Sequence, residues 1–500
     1  MMIMRPRRMA LAAALAVFTL NMAIVAASPI SGAAPSTRVP VFEIAPTGSG
    51  GVSVTDNPNT SVSAPISPAR SSTWVPSPAP VDAYRQSVSP LTGQRQAPSE
   101  FPAQQCCGGG NGWAPGDTNV AVGPNYVVEI VNASLTVYSR STAGTQLSHT
   151  PVKALAHLSN GDCIDVTVIY WSWDSRFAFG CTVLGASGNT IVIAVSRTAN
   201  PTGSWYVYQI HPDVFLDQPS ITATADKMAI GGEGSNGYEF YILQKSTMLT
   251  GQYTRYQLFR STRGPYRATV HITNEFDAKF VSVSGSNMWM ANFTGAVHNV
   301  HMTEVALEAK SYSRFSDVAV PGGKLGNGKL DNRPLMAQQE LESRDNHYVM
   351  VVSTLDQCGS NLCAEISRVD FSNGNHVSQQ WHRQITGYDT TYPAVTLDGY
   401  GDVFLTYTWS GPTLVPQAVA DAFSFDGTTL SFSRVIHGGT PGTTSCDSQG
   451  GCDEDWGDYN GAAQDPTNSA NVWVASEYQL SKGRYGWGTA IAQADYTRVH

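Results

Sequence analysis

From Asp117 onward the chain alternates short runs of β-branched and aromatic residues with turn residues, and no stretch carries a helical period of useful length. Thr118-Asn-Val-Ala-Val122 is followed by the turn Gly123-Pro124-Asn125 and then by Tyr126-Val-Val-Glu-Ile-Val131. An Asp opening one such run and a turn leading into a second recur at Asp165, Asp217, Asp277, Asp331, Asp389 and Asp458, at intervals of 48, 52, 60, 54, 58 and 69 residues. A third run usually follows, such as Ile191-Val-Ile-Ala-Val195, and often a fourth, such as Trp205-Tyr-Val-Tyr208. Four short strands per unit and seven units predict an all-β fold, a seven-bladed β-propeller, because radial repetition hides most strand edges. A β-sandwich array with accidental Asp spacing is the rival, and the uneven intervals, with a residue of slack at Asp217 and Asp331, leave six or eight blades open.

The pattern is different before Gln105. Arg5, Arg7 and Arg8 precede an Ala/Leu/Val/Met run from Met9 to Ala27, and the small residues Val25-Ala26-Ala27 stand ahead of Ser28. This is the layout of a cleaved export signal, residues 1–27, and it places the mature chain outside the cytoplasm, extracellular or periplasmic. An uncleaved anchor is the rival, but no apolar run of spanning length follows Ala27. Residues 28–105 hold 13 of the 28 prolines among Ser, Thr, Ala and Gly. Such a segment buries too little apolar surface to offset its ordering entropy, so it reads as a disordered linker or propeptide, with Val81–Phe101 able to lie along the folded part. The propeller domain is then residues 106–500.

The stretches Gly116-Asp117-Thr-Asn-Val-Ala-Val-Gly-Pro124, Pro201-Thr-Gly-Ser-Trp205, Asp331-Asn-Arg333 and Asp455-Trp-Gly-Asp-Tyr459, with Asp465-Pro466 and Glu477-Tyr478, resemble a family of secreted bacterial β-propellers. That family is distantly similar to sialidase-like and WD-repeat propellers. The resemblance covers nearly all of residues 112 to 495 and implies fold and export, with no family-wide activity to carry over. Sialidase Asp boxes are absent, which counts against sialidase chemistry.

Composition narrows the partners. With 30 Lys+Arg against 39 Asp+Glu, a formal charge of −9, the chain lacks the basic surface that a nucleic-acid backbone requires. Eight Cys in an exported chain favour disulfides. Cys163 and Cys181 flank the first and second strands of one unit. Cys358 with Cys363, and Cys446 with Cys452, each close a small loop, adding about 2–3 kcal/mol apiece in the loop-entropy account. For adjacent Cys106 and Cys107, a vicinal bridge, two distant partners and a free thiol all stay open.

In a propeller the innermost strands start at one mouth of the central channel, so the seven repeat Asp residues would form an acidic ring there. A short carboxylate at a strand start accepts backbone N–H bonds and fixes a turn. The sharper reading is convergence of Asp165, Asp217 and Asp277 on a hard cation such as Ca²⁺. Asp453-Glu454-Asp455 forms a second acidic group without Ca²⁺-loop spacing. If the protein is an enzyme, glycoside cleavage is the economical chemistry, with paired carboxylates as acid and as base or nucleophile. The catalytic candidates are Asp117, Asp331, Asp458 and Glu477 with Arg333 and Tyr459, and Glu129 and Glu233 lie on second runs. Arg333 or Arg176 would hold a sugar carboxylate or sulfate, and Trp113, Trp456, Tyr392 and Tyr459 offer stacking faces. Two functions follow: a monomeric glycan-binding or adhesion module with Ca²⁺ as its structural ion, or a polysaccharide hydrolase or lyase. Carboxylates consumed by backbone bonds favour the binder; two carboxyl groups in an open cleft favour the enzyme.

Overall fold

The computed structural model describes residues 41–44, 48–52, 54–56, 100–105, 116–140, 144–185, 188–264, 266–268, 277–284, 287–309, 319–321, 323–324, 336–342, 348–370, 376–425, 427–440, 457–480 and 486–499. Asp331, Arg333, Trp113, Trp456, Asp453–Asp455, Cys106, Cys107, Cys446 and Cys452 lie outside them.

Seven antiparallel sheets form a seven-bladed β-propeller. Blade 1 consists of Asn119–Val122, Tyr126–Val131, Ser134–Ser139 and Gln146–Pro151. Blade 2 is Asp162–Trp171, Arg176–Leu184, Ile191–Ser196 and Trp205–Ile210. Blade 3 is Asp217–Ala223, Lys227–Gly234, Gly237–Gln244 and Thr254–Ser261. Blade 4 is Tyr266–Ala268, Ala278–Ser284, Asn287–Thr294 and His301–Ala309. Blade 5 is Met336–Glu342, Tyr348–Cys358, Asn361–Asp370 and His376–Arg383. Blade 6 is Asp389–Leu397, Val403–Gly411, Leu414–Phe423 and Leu430–His437. Blade 7 is Gly461–Gln464, Asn471–Gln479 and Trp487–Asp495, flanked by Phe101–Gln105 and Arg498–Val499. The first strand of each blade touches the first strand of the next, and that of blade 7 touches that of blade 1, so the ring closes on itself.

The apolar runs are near-continuous because a blade is buried on both faces. Val192 and Ala194 pack toward blade 1, whereas the alternate Ile193 and Val195 pack toward blade 3. One apolar cluster sits at each junction between successive blades, including blade 7 to blade 1, where Phe101, Val120, Val127, Tyr138, Trp473 and Ile491 meet. The strands converge so tightly at the axis that Gly461 has no room for a side chain: a Cβ there would lie 2.6 Å from the Val120 nitrogen and 2.9 Å from the Asn119 Cα. Gly461→Ala should therefore cost roughly 1–3 kcal/mol in denaturant unfolding, while Gly188→Ala, which meets nothing within 4 Å, should be close to neutral.

Two disulfides are present as the spacing suggests. Cys163–Cys181 ties the first two strands of blade 2, with Cα atoms 5.5 Å apart. Cys358–Cys363 closes the second hairpin of blade 5, at 5.8 Å. Among the described residues no helix is long and apolar enough to cross a membrane.

The segment read as a linker contributes strands of its own. Val41–Ile44 pairs with the outer strand of blade 4, Gly48–Val52 with that of blade 3, and Val54–Asp56 with that of blade 2. Phe101–Gln105 then pairs with Trp487–Asp495 as an outer strand of blade 7, so the propeller's strands begin ahead of residue 106.

Candidate functional site

Where the innermost strands begin, the backbone repeatedly enters the left-handed region at residues other than glycine: Asp117 (φ 52°), Asp165 (φ 51°), Gln218 (φ 44°) and Tyr392 (φ 51°). In blades 2, 3 and 6 the ladder register shifts at these residues, so each is the extra residue of a bulge. Asp tolerates this conformation because its short carboxylate bonds locally, whereas Gln and Tyr adopt it at a cost of about 1–3 kcal/mol. The bulge turns these side chains and their neighbours toward one another at the end of the inner strands.

The result is a buried network spanning five blades. Asp117 accepts the Asp458 backbone N–H (2.6 Å) on one oxygen and the Asn132 amide (2.7 Å) on the other. The Asn132 side-chain oxygen accepts the Asp165 N–H (2.7 Å), and the Asp165 carboxylate accepts the Gln218 N–H (3.3 Å). The Gln218 amide donates to Asp458 (2.9 Å), and Arg267 of blade 4 donates to the Gln218 carbonyl (2.6 Å) and to its side-chain oxygen. Glu477 accepts the Gly457 N–H (3.1 Å). Tyr459 reaches the Val166 carbonyl (3.5 Å), and its ring lies 5.4 Å from the Arg267 guanidinium. Asn119 and Ser220 stitch the next blades by accepting the N–H of Val168 (3.1 Å) and Ala268 (2.8 Å).

Burial and mutual repulsion raise the proton affinity of these acids. Desolvation, then the charges of Asp458, Asp165 and Glu477, holds Asp117 well above the usual carboxylate range. Desolvation, then the charge of Asp217, pushes Asp165 to about 8. Glu477 is pushed to about 8 by desolvation, against the Gly457 and Asp117 N–H groups that favour its anion. Glu129 rises to about 6 through burial alone, while Thr118 (2.9 Å) and other donors oppose the shift.

Six of the sequence candidates therefore come together: Asp117, Asp165, Asp217, Asp458, Tyr459 and Glu477. The full acidic ring does not form. Asp277 lies just before the second strand of blade 4, because the innermost strand of that blade is Tyr266–Ala268. Asp389 precedes the left-handed residue of blade 6 by three positions and serves blade 5, accepting the Leu362 N–H (2.9 Å) and the Asn361 amide (3.1 Å). No three carboxylate oxygens of Asp165, Asp217 and Asp277 converge as a cation site among the described residues. Glu233 pairs across the ladder with Asp217, and Arg176 donates to the carbonyls of Asp174 (2.8 Å) and Ser175 (3.2 Å), holding its own turn. Gln218, Arg267 and Asn132, which the sequence reading missed, supply the neutralising donors.

A second feature lies between blades 5 and 6. A groove of about 490 Å³ is lined by Arg383, Gln384, Thr386, Trp409, Ser433 and Val435, among others. Arg383 is paired with buried Asp421 and donates to Ser433 (3.0 Å), so its charge is balanced. Trp409 packs edge-on against Tyr388 at 5.6 Å, and its indole N–H has no hydrogen-bond partner among the described residues.

No protein-family model matches the chain, and no curated protein matches it in sequence. Solved structures match it as a fold. The WD40 domain of SCAP from fission yeast is 8% identical, with 76% of this chain and 81% of that chain covered and a TM-score of 0.35. A subtype N10 neuraminidase-like protein of A/little yellow-shouldered bat/Guatemala is 11% identical, covering 66% and 93% at a TM-score of 0.37. The Dos1 propeller is 10% identical, covering 73% and 74% at a TM-score of 0.37.

Proposed function

We propose that the protein is an extracellular glycan-binding module and that the groove between blades 5 and 6 is where a sugar binds. The observation that carries this reading is the contrast between the two sites. At the axis Asp117 and Glu477 are buried, at 0% and 1% exposure, and each accepts a backbone N–H, so neither carboxylate lies open for glycosidic cleavage. The groove, in contrast, offers an aromatic face together with amide and hydroxyl groups. Its cation is neutralised by Asp421. Aromatic stacking with neutral polar donors suits an uncharged oligosaccharide. Two disulfides and the export-type N-terminus support the extracellular placement.

The test is retention of the full chain on immobilised neutral polysaccharides. Trp409→Ala should weaken retention at least tenfold, and Thr386→Trp, at an exposed position, should block the groove without touching the core. Retention unchanged in both variants overturns the assignment.

One observation favours the enzyme reading instead: Glu477 and Asp165, each at about 8, keep protons at neutral pH as a general acid must. Mass spectrometry of polysaccharides incubated with the protein decides between the two. New oligosaccharides that disappear with Asp458→Asn support the enzyme, and retention without products supports the binder.

A further inference from the structure

Blade 5 carries a cluster that neither site uses. In the antiparallel ladder Glu365 stands directly opposite both Thr354 and His382, and Asp356 lies two residues beyond Thr354 on the same face. The pleat thus brings Asp356, Glu365 and His382 together on three consecutive strands. This face continues the one on which Met350, Val352 and Val369 pack toward blade 4, and beyond those residues it turns polar. The His382 Nε2 lies 2.9 Å from an Asp356 oxygen and 3.3 Å from a Glu365 oxygen, and one ligand atom from each residue lies within 4.8 Å of the others.

We propose that Asp356, Glu365 and His382 form a binding site for a first-row divalent cation of the Zn²⁺ class. Zn²⁺ with nitrogen and oxygen ligands at about 2.0–2.1 Å sets neighbouring ligand atoms roughly 3.3 Å apart, close to the separations seen here. The outer oxygens are already held in place. The Gln357 N–H donates to the other Asp356 oxygen (2.7 Å), and the Gln380 amide donates to the other Glu365 oxygen (2.9 Å). Each carboxylate therefore keeps one oxygen for the histidine side, the arrangement of supporting bonds that orients metal ligands. The Cys358–Cys363 disulfide fixes the hairpin that carries Asp356. Glu365 is buried, whereas Asp356 and His382 are 29% and 36% exposed in their side chains, so solvent can supply the remaining ligands. An imidazole with only two carboxylates is a poor set for Ca²⁺, which takes six to eight oxygens, and a good one for zinc-class ions.

The rival arrangement is a protonated His382 ion-paired with the two acids and binding no metal. Calorimetric titration of the full chain, disulfides intact, with ZnCl₂ separates the two. The wild type should bind one more Zn²⁺ than His382→Asn or Asp356→Asn, with affinity at that site lowered beyond the ~10–100-fold that loss of a supporting bond costs. Titration with CaCl₂ should show no difference between wild type and variants. Co²⁺ bound in place of Zn²⁺ should give a spectrum without thiolate charge transfer until the disulfide is reduced. Circular dichroism of both variants, at exposed or half-exposed positions, checks that they fold. Identical zinc stoichiometry and affinity in folded wild type and variants overturns the proposal, as does a thiolate band in the oxidised protein.

Discussion

Protein lacking residues 1–105 should fail to form a stable ring and should aggregate, whereas protein lacking only residues 1–95 should melt cooperatively. The difference is one short strand. Phe101 is 8% exposed and packs against Tyr138 at 5.1 Å, within the apolar cluster joining blades 7 and 1. Gln104 donates its backbone N–H to Thr489 (2.9 Å) and accepts from Ser134 (2.5 Å). Without this strand the Trp487–Asp495 edge of blade 7 is left largely open for pairing with other chains. Phe101→Ala alone should cost about 3–5 kcal/mol in urea unfolding, as for other buried aromatics. Equal stability of the two truncations would show that the ring closes without its N-terminal strand.

Stability should fall as the pH rises from about 5 to about 8, the reverse of the usual behaviour of proteins with salt-bridged acids. Asp165 and Glu477 are held at about 8 by burial, against about 4 for unfolded Asp and Glu. Below about pH 4 both states hold these protons and the difference vanishes. Between about 4 and 8 the unfolded chain releases them and the native state keeps them, so the native state loses ground with every step upward until its own groups ionise near 8. A melting temperature several degrees higher at pH 5 than at pH 8 is expected. Glu477→Gln and Asp165→Asn remove the titrating groups and should each flatten this slope, stabilising the protein at pH 8 by on the order of 1–3 kcal/mol. A slope of the opposite sign would show that something other than protons neutralises the cluster. If Ca²⁺ at pH 8 then stabilises the wild type but not Asp165→Asn, a cation takes that role.

The blade pattern was readable in the chain because each blade is buried on both faces, which forces unbroken runs such as Ile191–Val195. The Cys163–Cys181 and Cys358–Cys363 pairs were readable because each lies within one blade. The candidate site was readable where Asp itself occupies the left-handed position, as at Asp117 and Asp165. It was misaligned where another residue does. The bulge in blade 3 puts Gln218 there instead of Asp217, and that in blade 6 puts Tyr392 three residues beyond Asp389. In blade 4 the described inner strand is only Tyr-Arg-Ala, too short to stand out beside the longer run that follows Asp277. The strands at 41–56 escaped notice for another reason. Edge pairing uses backbone groups, and a stretch such as Gly48-Ser-Gly-Gly-Val52 supplies those without any alternation of side chains.

Blade 7 joins Gln104 to Thr489 across 385 positions of sequence. Translation proceeds at roughly 5–20 residues per second, so the first of these partners leaves the ribosome roughly 20–80 s before the second. During that interval the first six blades are added one after another to an open arc, and the Phe101–Gln105 strand waits for its partner in blade 7. The strands between Gly461 and Asp495 are the ones that turn the arc into a ring, which makes closure of blade 7 onto blade 1, rather than collapse of any single blade, the event that commits this fold to its native state.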